Sequence, residues 1–171
     1  LGFYGDDWIY IYNDHLLGAG SFWDFVAIDR PFSAWIYVLT APFFGANALP
    51  YHLLLLALRW GSAVLLWHVL RITWPTAARP AAWTALLFAV FPGFVQQPIA
   101  VQFILHFAVL DLYLLSIIGM LHAAATPRRS WGWLALALLS SLSIFSLEYF
   151  AGLELLRPVF LWLMLRSHIP D

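Results

Sequence analysis

The 171-residue chain contains no cysteine and no lysine, so all eight of its basic residues are arginine. Without thiols it builds neither a disulfide framework nor a thiolate metal centre. Charged residues make up only 10%, where a soluble domain carries about 25%. The net charge of −1 supplies no basic patch to follow a phosphate backbone, which excludes nucleic acid as a partner. There is no Walker loop, no dinucleotide fingerprint and no serine nucleophile elbow, so soluble nucleotide binding has no motif behind it. The six histidines include no His-x-x-x-His pair and share no ligand spacing, so a zinc site is not expected. Leu1 is followed within seven residues by Asp6 and Asp7, with no basic stretch ahead of an apolar one, so no signal peptide is expected. The chain reads as a fragment of a longer protein, cut at both ends.

What the chain has instead is apolar mass: 63% hydrophobic and 18% aromatic residues, with mean hydropathy +0.83. A soluble fold of this size keeps too much surface to hide that fraction. The expectation is an all-α, polytopic membrane protein. Continuous apolar runs argue for helices, whose backbone groups are satisfied within the segment, rather than for an alternating barrel. Five candidate spans follow from the usual requirement of about 20 residues: 51–70, 81–95, 99–122, 131–147 and 149–165. Residues 50–171 are thus expected to form the helix bundle, and residues 1–49 an external segment.

Two polar stretches interrupt the apolar blocks, Arg71 to Pro80 and Thr126 to Ser130, each with two arginines. Two spans separate them, so they are expected at the same end of the bundle, which the positive-inside rule assigns to the cytoplasm. Five of the nine acids, Asp6, Asp7, Asp14, Asp24 and Asp29, then lie outside. In this segment Asp6 is expected to cap a helix running from Asp7 toward Gly18, with Gly18 and Gly20 ending it. Phe32 to Leu39 is aromatic and too short to cross before Pro42, so both pieces are expected on the outer membrane surface.

Two groups of residues carry potential chemistry. Asp6 and Asp7 are paired carboxylates beside a membrane; such a pair can act as a general base or hold a divalent cation, or simply start a helix. Arg59, Asp111, Glu154 and Arg157 fall inside expected spans, roughly 9–19 Å below the outer end at the helical rise. Ionisable groups at that depth face a cavity or one another, and Glu154 and Arg157, three apart, can pair on one helix face.

Asp29-Arg30-Pro31-Phe32, followed by Phe44-Gly45-Ala46-Asn47 and Tyr51-His52-Leu53, resembles the run in the transmembrane, tetratricopeptide-repeat-containing O-mannosyltransferases and their bacterial relatives. These are C-type membrane glycosyltransferases (GT-C fold). Asp6-Asp7 resembles the family's acidic motif in the first external loop. Phe91 to Gln96 lies where the family carries His-Pro-x-His-x-Glu, and Ser146-Leu147-Glu148 where it carries Ser-Lys-Glu. The sequence departs from the pattern at Leu55 and Arg59 (for Asn and His), at Phe91, Phe94 and Gln96, and at Leu147. The resemblance implies a bacterial inner-membrane glycosyltransferase that moves a sugar from a polyprenyl phosphate to a hydroxyl on a glycan, lipid or protein outside the cytoplasm. Asp6 or Asp7 would be the base and Arg59 or Arg157 the phosphate ligand. Arg30, His52, Gln96, Asp111, Glu148 and Glu154 would support them. No soluble cofactor is implied, and a divalent metal is compatible with the acid pair. The alternative is a non-enzymatic transporter or lipid-glycan flippase whose polar band lines a path, and a structural subunit would need only paired charges. The enzyme reading expects a cavity shared by Asp6 or Asp7 and by Arg59 or Arg157, with base and cation on the order of 10 Å apart.

Overall fold

The computed structural model describes residues 2–91, 97–126 and 130–167. Among them the chain is helical, with no strand. The N-terminal segment, expected to be external, forms α1 (Asp7–Leu17), a 3₁₀ turn (Ala19–Ser21), the single turn α2 (Phe22–Phe25) and α3 (Ala34–Phe44). Gly18, at φ 79°, ends α1 as the sequence predicts, in a conformation that side-chain-bearing residues avoid. Pro42 does not end α3. It lies inside the helix, which runs on to Gly45 at φ 48°; the sequence-based limit at Leu39 is therefore too short. Asn47 then caps the next helix, its side chain accepting from the Leu49 amide at 3.1 Å.

The bundle proper consists of α4 (Ala48–Thr73), α5 (Ala78–Val90), α6 (Ala100–Ala125), α7 (Ser130–Ser141) and α8 (Leu156–Ser167). A 3₁₀ stretch, Leu142–Ser146, continues α7, and another, Glu148–Leu155, leads into α8. Two helices, α4 and α6, are long and apolar enough to cross a membrane. α6 is the axis: 67% of its apolar window is buried, against 22% for α4.

α4 and α6 run parallel, since Arg59 meets Gln97, Ser62 meets Asp111 and His68 meets His122 in that order down the pair. The segments leaving α4 after Thr73 and α6 after Ala125 therefore start from the same end, as the arginine-rich loops predict; residues 127–129 lie outside the described residues. The return from Thr73 to Ala100 is made by α5, which at 13 residues is roughly 20 Å long, and by the connection after it.

α7 is antiparallel to α6. Ser116 donates to the Ala137 carbonyl at 2.7 Å, and a Cβ on Gly119 would lie 2.8 Å from the Trp133 carbonyl oxygen. At the other end of this segment Ser146 donates to the Phe32 carbonyl and accepts from the Trp35 indole, beside α3. Residues 130–146 thus run the height of the bundle, roughly 28 Å once the longer 3₁₀ rise is included. The next segment descends again through Leu153, whose carbonyl accepts from Tyr113, to Met164 in the lower core. Pro158 occupies the first turn of α8, where its missing N–H has no intrahelical partner to lose.

Two apolar cores follow. The upper one joins α1–α3 to the first halves of α4 and α6 through Phe22, Tyr37, Tyr51, Leu55, Ile104 and Leu105. The lower one joins the second halves of α4 and α6 to α8 through Val69, Ile117, Leu121 and Met164.

Candidate functional site

The polar residues gather mainly at the end of the bundle where α6 begins. Asp7 is completely buried. Its Oδ2 accepts from the Ala100 amide at 2.9 Å and its Oδ1 from the Gln102 amide at 3.1 Å. It therefore caps α6 from 93 residues away, neutralising the positive end of that helix. Burial pushes its carboxyl above the ordinary range, and the amides pull it back down. Asp6 occupies the cap position of α1 without a side-chain capping bond and is exposed. The expected pair is thus divided: one carboxylate is committed to backbone amides, the other faces outward.

Arg59 lies on the first half of α4. Its guanidinium donates to Gln97 Oε1 at 3.1 Å and to the Phe91 carbonyl at 3.2 Å. Gln97 precedes Ala100, the residue that Asp7 binds, by three positions, a span of at most about 11 Å. Gly5 approaches the same connection, its position for a Cβ lying 3.6 Å from Ile99 Cδ1. Asp7 and Arg59 consequently bind the same short connection, while Asp6 faces outward. None of the three cavities between the described elements is lined by Asp6, Asp7, Arg59 or Arg157, so the shared cavity expected from the sequence is not among them. Below Arg59, beginning at Trp60, an apolar groove of about 260 Å³ runs between α4 and α5, floored by Ala63, Ala82, Ala85 and Ala89 and walled by Trp60 and Trp67.

Arg30 forms a second cationic centre at the same end. It pairs with Glu148 at 3.5 Å and Asp29 at 3.7 Å, bonds the Tyr149 hydroxyl, and lies 5.1 Å from that ring's centre. Its carboxylate and phenol neighbours raise its pKa against the opposing effect of burial. A cavity of about 160 Å³ opens beside it, lined by Tyr10, Ser33, Tyr37, Gln102 and His106. Burial raises the Tyr10 phenol above its ordinary value, and the Tyr37 phenol well above that ordinary value, so both hydroxyls stay protonated donors. The carboxyl of Glu148 is held below its usual value, first by its own backbone amide, with Arg30 adding to the effect. His52, also at this end, contacts the Gly2 carbonyl through Nε2 at 2.9 Å.

Protein-family models, curated proteins and solved structures give no match to this chain.

The remaining sequence-selected residues lie deeper. Asp111 on α6 accepts from Ser62 and backs onto Gly61 of α4. Arg157 is held by Glu154 through two bonds, one of 2.6 Å, and donates to Ser116 at 2.8 Å. It is not brought to the acids, because Ser116 lies 16 residues beyond Ala100 on α6, roughly 24 Å along the axis. Gln96 lies outside the described residues. Sequence reasoning missed Gln97, Tyr149, His106, Tyr10 and Tyr37. Gln97 was one position from the residue chosen by resemblance, and Tyr149 is adjacent to Glu148; the others carry no motif and meet only through packing.

Proposed function

We propose that the chain is part of a multi-pass glycosyltransferase of the bacterial inner membrane that moves a sugar from a polyprenyl-phosphate donor to a hydroxyl acceptor on the extracytoplasmic side. The observation that carries this reading is Arg59 at the head of an apolar groove, within one short connection of the acid pair. A donor of this class is an anionic phosphate on a long hydrocarbon chain. It fits a guanidinium above a lipid-facing groove, because guanidinium pairs with phosphate oxygens and the groove offers only apolar contact. The end-to-end course of five segments, including the two that alternate α and 3₁₀ rise, supports five crossings despite the shortness of α5, α7 and α8.

In the transfer, Asp6 takes the proton of the acceptor hydroxyl as its oxygen bonds to the anomeric carbon. The bond from that carbon to the phosphate oxygen breaks, and the leaving polyprenyl phosphate gains negative charge next to Arg59. Asp7 holds the first turn of α6, and with it the connection that carries Gln97. Arg30 with Glu148 and Tyr149 frames the acceptor side.

The test uses the full-length protein in proteoliposomes with a radiolabelled polyprenyl-phosphate hexose. Asp6→Asn is expected to lower transfer by a factor on the order of 100 or more, and Arg59→Gln to weaken donor binding. Wild-type transfer by Asp6→Asn at normal expression excludes this carboxylate as the base. Label that crosses the bilayer without a new glycosidic bond supports the transporter instead.

A further inference from the structure

Arg30 stands between two cavities. One is the space of about 160 Å³ that Tyr10, Gln102 and His106 line from α1 and α6. The other is a groove of about 430 Å³ that reaches from Pro31 to Phe145, Glu148 and Ala151. Both have Asp29 and Arg30 in their walls, so they adjoin at this pair. The smaller one has room for roughly five waters at about 30 Å³ each, which is the scale of a single sugar ring. Taken together, the two have the size of a small-molecule site, about 300–1,000 Å³.

The walls select among ligands. One guanidinium stands against two carboxylates, Glu148 at 3.5 Å and Asp29 at 3.7 Å, and this excess of negative charge repels an anion. The guanidinium in turn repels a cation. Arg30 only donates, the two carboxylates only accept, and the Tyr10 hydroxyl and Gln102 amide do both. Such a mixture suits groups that also do both, namely hydroxyls. The side chains of Asp29 and Glu148 are 81% and 62% exposed, so their oxygens have lone pairs to spare for a ligand. Tyr10 is half-buried, and Tyr37, buried and stacked on it at 4.6 Å, holds its ring in place. Aromatic and aliphatic surface from Tyr10, Phe25 and Leu105 completes the cavity, as the C–H faces of a sugar require.

We infer that the two cavities bind an uncharged saccharide chain, with one pyranose unit in the cavity against Tyr10 and Gln102 and the next units crossing Arg30 into the groove. The inference rests on the proposed transfer only for the role of this chain, which is that of acceptor. It narrows the acceptor from a glycan, lipid or protein to a neutral glycan. Asp6, the base in that transfer, lies outside the cavity but precedes Tyr10 by four positions, a spacing that makes neighbours on a helix. Gln102 is anchored at the same place, since its backbone amide donates to Asp7 at 3.1 Å.

The test measures binding to the full-length protein in nanodiscs, without donor, by saturation-transfer NMR and calorimetry. The probes are neutral trisaccharides of glucose, galactose and mannose, their uronic-acid counterparts, and an uncharged peptide rich in serine and threonine. At least one neutral trisaccharide is expected to bind at one equivalent, and its uronic counterpart and the peptide to bind more weakly by about tenfold or more. Tyr10→Phe and Gln102→Ala each remove one hydrogen-bonding group and should weaken the neutral sugar on the order of tenfold. Glu148→Gln removes the excess negative charge and should narrow the gap between uronic and neutral sugars. Tyr10→Phe keeps the stacked ring and Gln102→Ala keeps the amide that Asp7 binds; should either fail to fold, the order of the probes on the wild type decides. No saccharide binding, tighter binding of the uronic sugars or the peptide, or wild-type affinity in both variants overturns the inference. Failure of the transfer reading looks different. A neutral sugar that binds here and weakens with Tyr10→Phe, yet receives no labelled hexose from the polyprenyl phosphate, upholds the site and removes the acceptor role. Transfer to the peptide without saccharide binding upholds the transferase and overturns the saccharide site.

Discussion

At Asp7 both carboxylate oxygens are occupied by amides of α6 in a site without solvent. Asp7→Asn keeps one acceptor and turns an NH₂ group toward the other amide. The expected loss is about 1–3 kcal/mol, the cost of an unsatisfied buried donor. Asp6→Asn, at an exposed position, should change stability by no more than about 0.5 kcal/mol. Thermal unfolding of the two variants in detergent separates structure from chemistry, since only Asp6 is proposed to act on substrate. Glu148 adds a pH signature. Its carboxyl is held below the usual 4.5, so its contact with Arg30 is fully present at neutral pH and is lost as the pH falls through that lowered value. The near-ultraviolet signal of Tyr149, which Arg30 bonds, should change in that acid range and stay constant above it; Glu148→Gln should abolish the transition. At this scale the paired carboxylates drew attention to Asp7, and the family resemblance to Arg30 and Glu148. The sequence was silent on the distant partners, the Ala100 and Gln102 amides of Asp7 and the Tyr149 hydroxyl of Arg30, because those lie 93 to 119 residues away and no local period encodes such pairings.

Among the helices, α4 and α6 were legible because each carries an apolar run of the required length, broken by a single charged residue, Arg59 or Asp111, and ended by polar loops. The other three expected spans were legible as apolar blocks but not in their form, because a run of hydrophobic residues does not reveal where α rise gives way to 3₁₀, and their α-helices are shorter than the two that are long enough to cross a membrane. Pro42 misled for a related reason: a proline inside a helix is costly in isolation, yet α3 is held by Tyr37 and Ala41 in the upper core. The α6–α7 contact makes a sharp prediction. A Cβ on Gly119 would meet the Trp133 carbonyl oxygen at 2.8 Å and the Ala137 amide nitrogen at 2.9 Å, both backbone atoms that cannot rotate away. Gly119→Ala should lower the unfolding midpoint by the equivalent of about 1–3 kcal/mol. Gly132→Ala on the facing helix, where nothing lies within 4 Å, should instead raise stability by up to about 1 kcal/mol through helix propensity.

For the molecule as a whole, the absence of cysteine provides a clean background for mapping its orientation. Thr76 and Asp24 are both exposed, one in the turn after α4 and the other in α2. With a membrane-impermeant maleimide on intact spheroplasts, Asp24→Cys is expected to react at once, and Thr76→Cys only after permeabilisation. The reverse pattern would invert the topology and move the acid pair into the cytoplasm. The expected common end of the two arginine-rich loops rests on counting crossings, which charge placement makes legible. The gathering of Asp6, Asp7, Arg59 and Arg30 at the other end needed the parallel course of α4 and α6, which no single segment specifies.

The bond from Asp7 to the head of α6 also sets a timetable. The chain emerges from the ribosome in order, and the amides that Asp7 binds follow it by 93 and 95 residues. At synthesis rates of about 5–20 residues per second, the aspartate waits roughly 5–20 s for them. During that interval α1 has already been made, but the element that closes over its carboxylate does not yet exist. α1 is therefore made well before the helix that its aspartate caps. A nascent chain arrested before Ala100 should leave Asp7 open to carbodiimide, and one arrested after α6 has emerged should shield it.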